Sequence, residues 1–465
     1  MSKADPSALV ELPSLRVEVV EPGKKQRKGW LRCEIGTNVE FNTERMQSYF
    51  FAEWKPVLYD ALLVAAVIEF CDRSQRRPAT GWGRTFEVRI PVHQPERWNQ
   101  RDVMDALHSV VNFLTGDRWQ ISFYGRRRKE SAPLQGQFSL GNNKVAVLPF
   151  SDGLDSSAVA GLLTRELGDK LVRVRLGSKD FNGSGLPKGR EPFTSVPYKV
   201  RPGKKAFTES SARSRGFKFA LLSGLAAFLS KAGRVIVPES GQGALGPWLV
   251  TVGQAYSDYR SHPLFTKRME AFLWAILDYR VTFELPQLWQ TKGETLTRFV
   301  RECEKGSSTW MSTWSCWQDN RTVSVDHEKR QCGICAACML RRLSVHATGL
   351  KEEKTVYVWE DLTASAFEAG AATNFEKKKI TKAMREYAIA GTLHLDHLAA
   401  MRDSASNALT FDLSVSQLSQ ACGLSETDTR ARLERMLGQH AAEWKSFVGS
   451  LGRKSFVSHW VGAVS

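Results

Sequence analysis

A strand, a serine-rich turn and a helix follow one another between Val145 and Leu163, and this order constrains the fold more than any other segment. The apolar run VAVL at Val145–Leu148 predicts a buried strand, and Ala158–Leu163 predicts a packed helix. Between them, SDGLDSS at Ser151–Ser157 consists of residues that favour turns and helix caps. Such a turn leaves backbone N–H groups without partners at the start of a helix, where a phosphate binds readily. The alternative is a purely structural turn, because short motifs also match by chance.

Alternation of strands and helices continues after this segment and predicts an α/β fold built on a doubly wound parallel sheet. Strand signals fade beyond Val356, and helical periods dominate from Phe375. We therefore expect three domains: an N-terminal α+β extension at 1–143, an α/β domain at 144–352 and a C-terminal helical domain at 353–465. The predicted strands are Leu15–Val20, Gly29–Gly36, Thr85–Pro91, Trp119–Tyr124, Val145–Phe150, Lys170–Leu176 and Arg234–Pro238. The predicted helices are Gln47–Arg73, Arg101–Leu114, Ala158–Leu167, Arg215–Lys231, Leu264–Asp278 and those after Phe375.

The chain is basic, because 65 Lys and Arg residues against 49 Asp and Glu residues give a net charge of +16. This balance favours an acidic partner such as a nucleotide, a nucleic acid or an acidic protein, although a solvated basic surface gives the same balance. The first residues lack the apolar centre of a signal peptide, and the longest apolar run, Ala61–Ile68, is shorter than the roughly 20 residues that span a bilayer. We expect a cytoplasmic protein that does not bind membranes and whose cysteines are reduced.

Four cysteines follow the pattern Cys-x15-Cys-x2-Cys-x2-Cys, at Cys316, Cys332, Cys335 and Cys338. This spacing lets four thiolates converge on one metal ion, and four thiolates suit a structural Zn²⁺ because no coordination position stays open. The alternatives are an iron–sulfur cluster, a cluster without metal, and replacement of one ligand by His327 in the spacer. The remaining cysteines are isolated in the sequence and are predicted to be core or surface thiols: Cys33, Cys71, Cys303 and Cys422.

The turn at Ser151–Ser157 resembles the PP-loop of ATP pyrophosphatases, Ser-Gly-Gly-x-Asp-Ser, with Asp152 where that motif has its first glycine. Members of that family cleave ATP between the α- and β-phosphates and transfer AMP to an oxygen of the substrate. The resemblance implies that the turn binds the phosphates of ATP, that Asp155 helps to hold Mg²⁺ or to polarise the substrate, and that adenine lies at the strand end Val174–Gly177. The implied nucleotide-binding residues are Ser151, Asp152, Gly153, Leu154, Asp155, Ser156, Ser157 and Leu176.

Together, the turn and the cysteines resemble 7-cyano-7-deazaguanine synthases of the QueC type, through TWSCW at Thr313–Trp317 and CGICAACMLRR at Cys332–Arg342. SARSRGFKFALLSGLA at Ser211–Ala226 and ELPQLWQTKGE at Glu284–Glu294 are similar to further segments of that family. The resemblance spans about Val145–Leu350 and implies an adenine nucleotide alpha hydrolase-like PP-loop core. It implies an enzyme that uses ATP, Mg²⁺ and Zn²⁺ to activate 7-carboxy-7-deazaguanine, form an amide with ammonia and dehydrate the amide to the nitrile. The implied catalytic residues are Asp155, Arg213, Arg215 and Lys292.

Three N-terminal segments between Glu69 and Trp119, EFCDRSQRR, RIPVHQPERW and NFLTGDRW, resemble the enlarged QueC-like proteins of bacterial anti-phage defence clusters, the QatC type. This resemblance implies protein partners from the same defence system and transfer of a deazaguanine carboxylate to a protein amine. Basic segments at Gly125–Lys129 and Arg201–Lys205 favour such a macromolecular surface. The family's substrate loop is replaced by AYSDYRSHPLF at Ala255–Phe265, so we expect the substrate to be shifted. The alternatives are a free 7-cyano-7-deazaguanine synthase, a tRNA-modifying PP-loop enzyme and a non-catalytic nucleotide- or DNA-binding scaffold.

A helix-turn-helix pattern lies in the C-terminal part, at Leu413–Leu437, with Gly423 at its turn. Leu418, Ala421, Leu424 and Leu433 have the spacing of its core positions. The second helix carries three acidic and three basic residues, whereas contact with DNA phosphates requires an excess of cations. Helical packing or partner docking is therefore favoured over DNA binding for this segment.

Overall fold

A computed structural model describes residues 14–41, 55–78, 81–127, 144–151, 153–177, 194–203, 205–209, 212–251, 256–303, 308–318 and 323–462. Contacts between Cα atoms divide the chain into two compact units. The first unit contains Met1–Asn142, Val174–Gly233 and Arg268–Val281, and the second contains Asn143–Arg173, Arg234–Lys267 and Thr282–Ser465. This grouping describes packing, and the division into three domains stays a prediction.

The first unit contains parallel strands and packed helices. Its elements are β1 (Ser14–Val20), β2 (Leu31–Glu34), β3 (Val39–Phe41), α1 (Pro56–Ser74), β4 (Thr85–Val92), α2 (Pro95–Trp98), α3 (Arg101–Thr115), β5 (Arg118–Gly125), the end of β7 (Leu171–Gly177), β8 (Thr194–Val200), α5 (Arg215–Ser230) and most of α8 (Pro263–Leu277). Strands β2, β1, β4 and β5 form an all-parallel sheet in that order, with Val17 beside Leu31 and Val88 beside Ile121. Strand β8 pairs in parallel with β7 and antiparallel with β3.

A buried ion network joins α1 to the start of α5 in the first unit. Arg84 is fully buried and lies 2.5 Å from an oxygen of Asp72 and 2.7 Å from an oxygen of Asp117. Arg77 adds a second cation, 3.0 Å from Asp117, so two arginines balance two carboxylates. The other oxygen of Asp72 accepts a hydrogen bond of 2.8 Å from the backbone N–H of Ser214, one residue before α5. A buried network of this kind is stable only while every charge keeps its partner.

The second unit begins with β6 (Ala146–Pro149) and α4 (Leu154–Leu167), followed by the start of β7. Strands β10, β9, β6 and β7 lie in that order, and β9 is parallel to both β6 and β10. The predicted strands and helices of this region are confirmed within a few residues, whereas the three-residue strand β10 was not predicted. The other elements of this unit are β9 (Arg234–Ile236), α6 (Gly241–Ala244), α7 (Gly246–Leu249), the start of α8, β10 (Thr282–Glu284), α9 (Lys292–Glu302), β11 (Ser324–Val325), β12 (Glu328–Lys329), α10 (Ala336–Ala347), α11 (Lys382–Ala400), α12 (Ala408–Cys422), α13 (Glu426–Leu451) and α14 (Phe456–Gly462).

Helix α4 is packed on two sides, which fixes the direction in which its N-terminus points. Val159, Ala160 and Leu163 pack against Ala146 and Ile236 of the strands. The opposite face packs against α9 and the segment before the cysteines, through Leu154, Ala158, Leu162, Leu296, Phe299 and Trp310. The turn that precedes α4 is therefore held on a rigid support.

Helices predominate after Val356, as the sequence predicts, and they enclose two further cores in the second unit. One core surrounds the cysteines and includes Trp359, Phe375, Leu395 and Trp444. The other joins α6 and α7 to α11, α12 and α13. Among the described residues, no helix has the length and apolar character needed to cross a bilayer.

Candidate active site and metal centre

The serine-rich turn lies at the carboxyl end of β6 and leads directly into α4. Ser156 is buried, and its hydroxyl lies 2.9 Å from the Ser151 hydroxyl and 2.9 Å from the Ser151 carbonyl oxygen. The Ser151 hydroxyl in turn accepts a hydrogen bond of 3.1 Å from the Gly153 N–H. These contacts close the turn on itself, so Ser151 and Ser156 have a structural role that the phosphate hypothesis did not include. Asp152 lies outside the described residues.

Gly153 is the N-cap of α4, and none of the described side chains caps the helix. The N–H groups of the first helical turn, from Leu154 to Ser156, point along the axis without intrahelical acceptors. They form the positive end of a helix of 14 residues, where an anionic ligand is stabilised. Ser157 is already part of the helical ladder, because its N–H donates to the Gly153 carbonyl at 3.1 Å. The turn thus leaves backbone donors at the start of α4, and the binding of a phosphate there stays a prediction.

Asp155 and Lys292 form a close and largely buried ion pair. The Lys292 Nζ lies 2.5 Å from Asp155 Oδ2, and only 9% and 14% of the two side chains are exposed, respectively. The other carboxylate oxygen, Asp155 Oδ1, is buried and has no hydrogen-bond partner in the part of the chain that the structure describes. An oxygen in this state is suited to accept a donor from a ligand or to bind a hard cation such as Mg²⁺. Two residues predicted to be catalytic are therefore in contact, 137 positions apart in the chain.

Lys292 is the first residue of α9, and its position is fixed by the cap of that helix. Thr291 is a fully buried N-cap whose hydroxyl accepts the Glu294 N–H at 3.1 Å, while its own N–H donates to the Glu294 carboxylate at 2.8 Å. This capping box gives α9 a single defined start. The Lys292 N–H donates to Gln242 Oε1 at 2.8 Å, which attaches the helix to α6. Sequence reasoning identified Lys292 but missed Gln242.

Glu239 belongs to the same site and was not predicted. It follows β9, and β9 lies beside β6 with Val147 paired to Val235, so Glu239 and the serine turn leave the sheet at the same edge. In parallel sheets this carboxyl edge is where ligands bind. Removal from water and the nearby Asp155 carboxylate raise the pKa of Glu239 to about 7, while Lys292 and Arg260 act in the opposite direction. The sequence signal was an acidic residue directly after a short apolar strand.

The four cysteines converge as predicted. Their sulfur atoms all lie within 4.8 Å of one another, and all four residues are buried. A tetrahedral zinc ion with bonds of ~2.3 Å places its sulfurs about 3.8 Å apart, and Cys332 Sγ lies 3.8 Å from Cys338 Sγ. The cluster therefore fits a metal ion such as Zn²⁺. His327 is exposed in the turn between β11 and β12 and is not among the residues of the cluster.

Backbone N–H groups donate to three of these sulfurs, which is the pattern that stabilises thiolates. Cys316 Sγ accepts from the Cys332 N–H at 3.2 Å and from the Gln318 N–H at 3.4 Å. Cys332 Sγ accepts from the Cys335 N–H at 3.3 Å, and Cys335 Sγ accepts from the Cys338 N–H at 3.4 Å. Cys335 is also the N-cap of α10, so the partial positive charge of the helix start lies beside its sulfur.

The cysteine cluster connects to the serine turn through the segment that precedes Cys316. Arg341 of α10 is fully buried and donates to the Thr313 hydroxyl at 2.6 Å and to the Trp310 carbonyl at 3.1 Å. Glu352, 2.6 Å away, balances its charge. The Trp314 carbonyl oxygen lies 3.8 Å from the position that a Cβ at Gly153 would occupy. A metal ion bound by the cysteines would thus stabilise the segment around Trp314, which lies close to the serine turn.

The remaining predicted site residues lie in the first unit. The Arg213 guanidinium lies over the Trp82 ring at 4.8 Å, and the Arg215 guanidinium lies over the Phe219 ring at 5.4 Å. Leu176 lies in β7, near its end. The structure brings Asp155, Lys292 and the serine turn together, and the roles of Arg213, Arg215 and Leu176 remain predictions.

An aromatic cluster occupies the segment that replaces the expected substrate loop. Tyr256 and Tyr259 have ring centroids 5.6 Å apart, and His262 contacts both Tyr259 and Trp248, the latter at 4.2 Å. His262 Nδ1 accepts from the Leu264 N–H at 3.1 Å, so the proton is on Nε2, which is buried and has no hydrogen-bond partner among the described residues. Burial lowers the pKa of His262 to about 3, so the imidazole is neutral.

The helix-turn-helix pattern corresponds to α12 and α13, with Gly423 in the left-handed conformation at the turn. Leu418, Ala421 and Leu433 are buried as predicted. However, α13 has 26 residues, and two of its arginines already have protein partners: Arg430 lies 2.6 Å from Asp412, and Arg435 contacts Glu294. These contacts favour packing within the second unit over DNA binding.

Comparison with known proteins gives one family match. Residues 249–349 match the family model of the Queuosine biosynthesis protein QueC, and no curated protein matches the chain. The chain therefore contains a QueC-like domain, which indicates an ATP-using enzyme family of the 7-cyano-7-deazaguanine synthase type. The matched segment includes Lys292, Tyr256, Tyr259, His262 and all four cysteines, whereas the serine turn lies before it.

Proposed function

We propose that the chain is an ATP-dependent, AMP-forming ligase that activates the carboxylate of a 7-deazaguanine and transfers the acyl group to an amine. The observation that carries this proposal is the buried Lys292–Asp155 ion pair, with 2.5 Å between its charged atoms, at the uncapped N-terminus of α4. A helix start binds phosphate oxygens, and a buried cation beside it can neutralise the charge that develops during phosphoryl transfer. The QueC-like domain supports the same substrate class.

In the first step, a carboxylate oxygen of the substrate attacks the α-phosphorus of ATP. The bond from that phosphorus to the oxygen bridging the α- and β-phosphates breaks, and pyrophosphate leaves with an acyl-adenylate as the product. The N–H groups of Leu154 to Ser156 would bind phosphate oxygens, and Lys292 would offset the negative charge of the pentavalent phosphorus. Asp155 holds Lys292 in this position, and its Oδ1 would be a ligand for Mg²⁺, which supplies further neutralisation of the phosphates.

In the second step, the amine nitrogen attacks the acyl carbon, and the bond from that carbon to the AMP oxygen breaks. AMP leaves, and the attacking nitrogen loses a proton. Glu239 is suited to accept this proton, because its pKa of about 7 matches a base that works near neutral pH. Zn²⁺ at Cys316, Cys332, Cys335 and Cys338 would be structural, since four sulfur ligands leave no open position for chemistry.

The identity of the amine that accepts the acyl group is the more specific part of the proposal. The N-terminal resemblance to enlarged QueC-like proteins of defence clusters supports an amino group on a partner protein. The alternative is ammonia, which would give the amide and then, after a dehydration, the free nitrile. Mass spectrometry distinguishes them, because a conjugate adds mass to a protein and the nitrile appears as a small molecule.

The experiment that tests the proposal uses 7-carboxy-7-deazaguanine with both carboxylate oxygens replaced by ¹⁸O. Purified protein is incubated with this compound, ATP, Mg²⁺ and an ammonium salt, and the AMP is analysed by mass spectrometry. We expect AMP that carries one ¹⁸O atom, because the carboxylate oxygen that attacked phosphorus leaves with AMP. AMP without label, or release of ADP, would contradict the proposal, and complete absence of turnover would favour the non-catalytic scaffold.

A further inference from the structure

Helix α13 contacts the Lys292 site with one face, although it lies well outside the segment that matches the QueC family. The residues that make these contacts are Arg435, His440 and Glu443, which lie within an arc of about 140° around the helix axis. Arg435 contacts the Glu294 carboxylate and the Trp289 carbonyl oxygen. All three residues thus contact the segment around the start of α9, either directly or through one side chain.

His440 is connected to the backbone of Lys292 by a chain of buried hydrogen bonds. His440 Nε2 lies 2.8 Å from the Leu395 carbonyl oxygen, and His440 Nδ1 lies 2.8 Å from Gln242 Nε2. Gln242 Oε1 accepts the Lys292 N–H at 2.8 Å. His440 is fully buried and only 2% of Gln242 is exposed, so water cannot replace these bonds at low cost.

The groups at the two ends of this series of hydrogen bonds, the Leu395 carbonyl and the Lys292 N–H, fix the direction of every bond in it. A carbonyl oxygen can only accept, so His440 donates from Nε2, and a backbone N–H can only donate, so Gln242 accepts with Oε1. The remaining contact therefore runs from the Gln242 amide to an unprotonated His440 Nδ1. Burial lowers the pKa of His440 to about 4, in agreement with a neutral ring. A flipped amide or a charged imidazole would place two donors against each other.

Glu443 provides a second contact, to the residue that caps α9. The Thr291 hydroxyl donates to Glu443 Oε1 at 2.6 Å while it accepts the Glu294 N–H. A Cβ at Gly293 would lie 3.1 Å from the same Glu443 oxygen and 3.0 Å from the Ala347 Cβ, so a larger residue there would require these neighbours to shift. Two adjacent residues at the start of α9, Thr291 and Lys292, are thus held from α13 by independent contacts.

We propose that α13 is a positioning element of the active site, in which His440 and Glu443 set the first turn of α9 so that Lys292 reaches Asp155. This inference rests on the proposed function for its kinetic consequences. Lys292 is the residue that acts, whereas His440 acts through Gln242 and never contacts the substrate. The C-terminal helices would then affect the rate of AMP formation. They would do so although the segment that matches the QueC family ends about 90 residues before His440.

The test replaces His440 with Leu, which removes both hydrogen bonds, and with Asn, whose oxygen can accept the Gln242 amide in place of Nδ1. The matched control is His394→Leu, because His394 is also a buried histidine but forms its hydrogen bond with the Val250 backbone instead. A displacement of Lys292 by about 1 Å costs on the order of 10- to 100-fold in rate. We expect this loss in kcat for His440→Leu, with KM for ATP changed less than about threefold, partial recovery in His440→Asn, and no comparable loss in His394→Leu.

A double-mutant cycle separates positioning from general loss of stability. In a Lys292→Met background, His440→Leu should cause almost no further loss of kcat, because both changes remove the same interaction. Additive losses, or equal losses in His440→Leu and His394→Leu, would overturn the inference.

A crystal structure of His440→Leu gives a readout that does not depend on the reaction. We expect the distance from Lys292 Nζ to Asp155 Oδ2 to increase beyond hydrogen-bonding range, and an unchanged distance would overturn the inference. If the wild-type protein forms no AMP, the proposed function fails while this structural comparison still decides whether α13 positions Lys292.

Discussion

Replacing Lys292 with Met tests the buried ion pair on which the site depends. The change removes the cation that lies 2.5 Å from Asp155 and leaves a carboxylate of which only 14% of the side chain is exposed. Its second oxygen is already buried without a hydrogen-bond partner, so no other described group can compensate for the lost charge. The methionine side chain has nearly the same length as the lysine stem, which keeps the packing against α4 intact.

The expected loss of stability follows from the burial of the pair. Removing one partner of a buried ion pair costs about 3–5 kcal/mol, because the other charge stays buried without compensation. Water reaches part of Asp155, so we expect the lower end of this range, about 3 kcal/mol. The double variant Asp155→Asn, Lys292→Met removes both charges of the pair and should recover at least about 2 kcal/mol of this loss. Its AMP-forming activity should stay as low as that of Lys292→Met.

Hydrogen exchange followed by mass spectrometry measures these changes where they occur, in peptides that cover α4 and α9. This local readout is preferable to a single melting temperature, because a chain with two compact units need not unfold in one step. Arg301→Met is the matched control, since Arg301 lies on the same helix with 71% of its side chain exposed. Two results would contradict this prediction. One is a loss of stability below about 1 kcal/mol in Lys292→Met, and the other is a double variant that loses as much stability as the two single variants together.

Two further predictions concern the cysteines and Glu239. Cys335→Ser should abolish the binding of one zinc ion per chain and lower the melting temperature of the second unit by at least about 10 °C. The control Cys422→Ser, which changes a cysteine outside the cluster, should do neither. Elemental analysis and calorimetry measure these effects, and zinc retained by Cys335→Ser would contradict the prediction. Because the pKa of Glu239 is raised from 4.5 to about 7, the folded state binds its proton more tightly than the unfolded state. The stability of the wild type relative to Glu239→Gln should therefore fall as pH rises from 4.5 to 7, by up to roughly 3 kcal/mol, and remain constant at higher pH. Urea denaturation across this range checks the sign, and a relative stability that rises with pH would refute it.

The sequence predicted those parts of the site whose residues are close together in the chain. The serine turn is recognisable because Ser, Asp and Gly are poor helix formers placed between an apolar strand and a helix. The cysteine cluster is recognisable because its Cys-x2-Cys spacing has a direct geometric meaning. The strands β6, β7 and β9 followed from short apolar runs, and the structure contains all three.

Long-range contacts could not be read from the sequence. Three contacts join residues that are separated by many positions in the chain. They are the ion pair of Asp155 with Lys292, the approach of Glu239 to Asp155, and the hydrogen bond from Gln242 to His440. Neither periodicity nor spacing encodes such contacts, because they depend on how the strands are ordered and how the helices pack. Strand β10 was missed because three residues, Thr282–Glu284, are too few to establish an alternating pattern.

The most direct measurement is a crystal structure of the protein with Mg²⁺ and an ATP analogue whose α,β-bridging oxygen is replaced by a methylene group. We expect phosphate oxygens to accept hydrogen bonds from the N–H groups of Leu154 to Ser156 and the Lys292 Nζ to lie beside the α-phosphate. A triphosphate bound elsewhere, with these N–H groups facing only protein atoms, would contradict it.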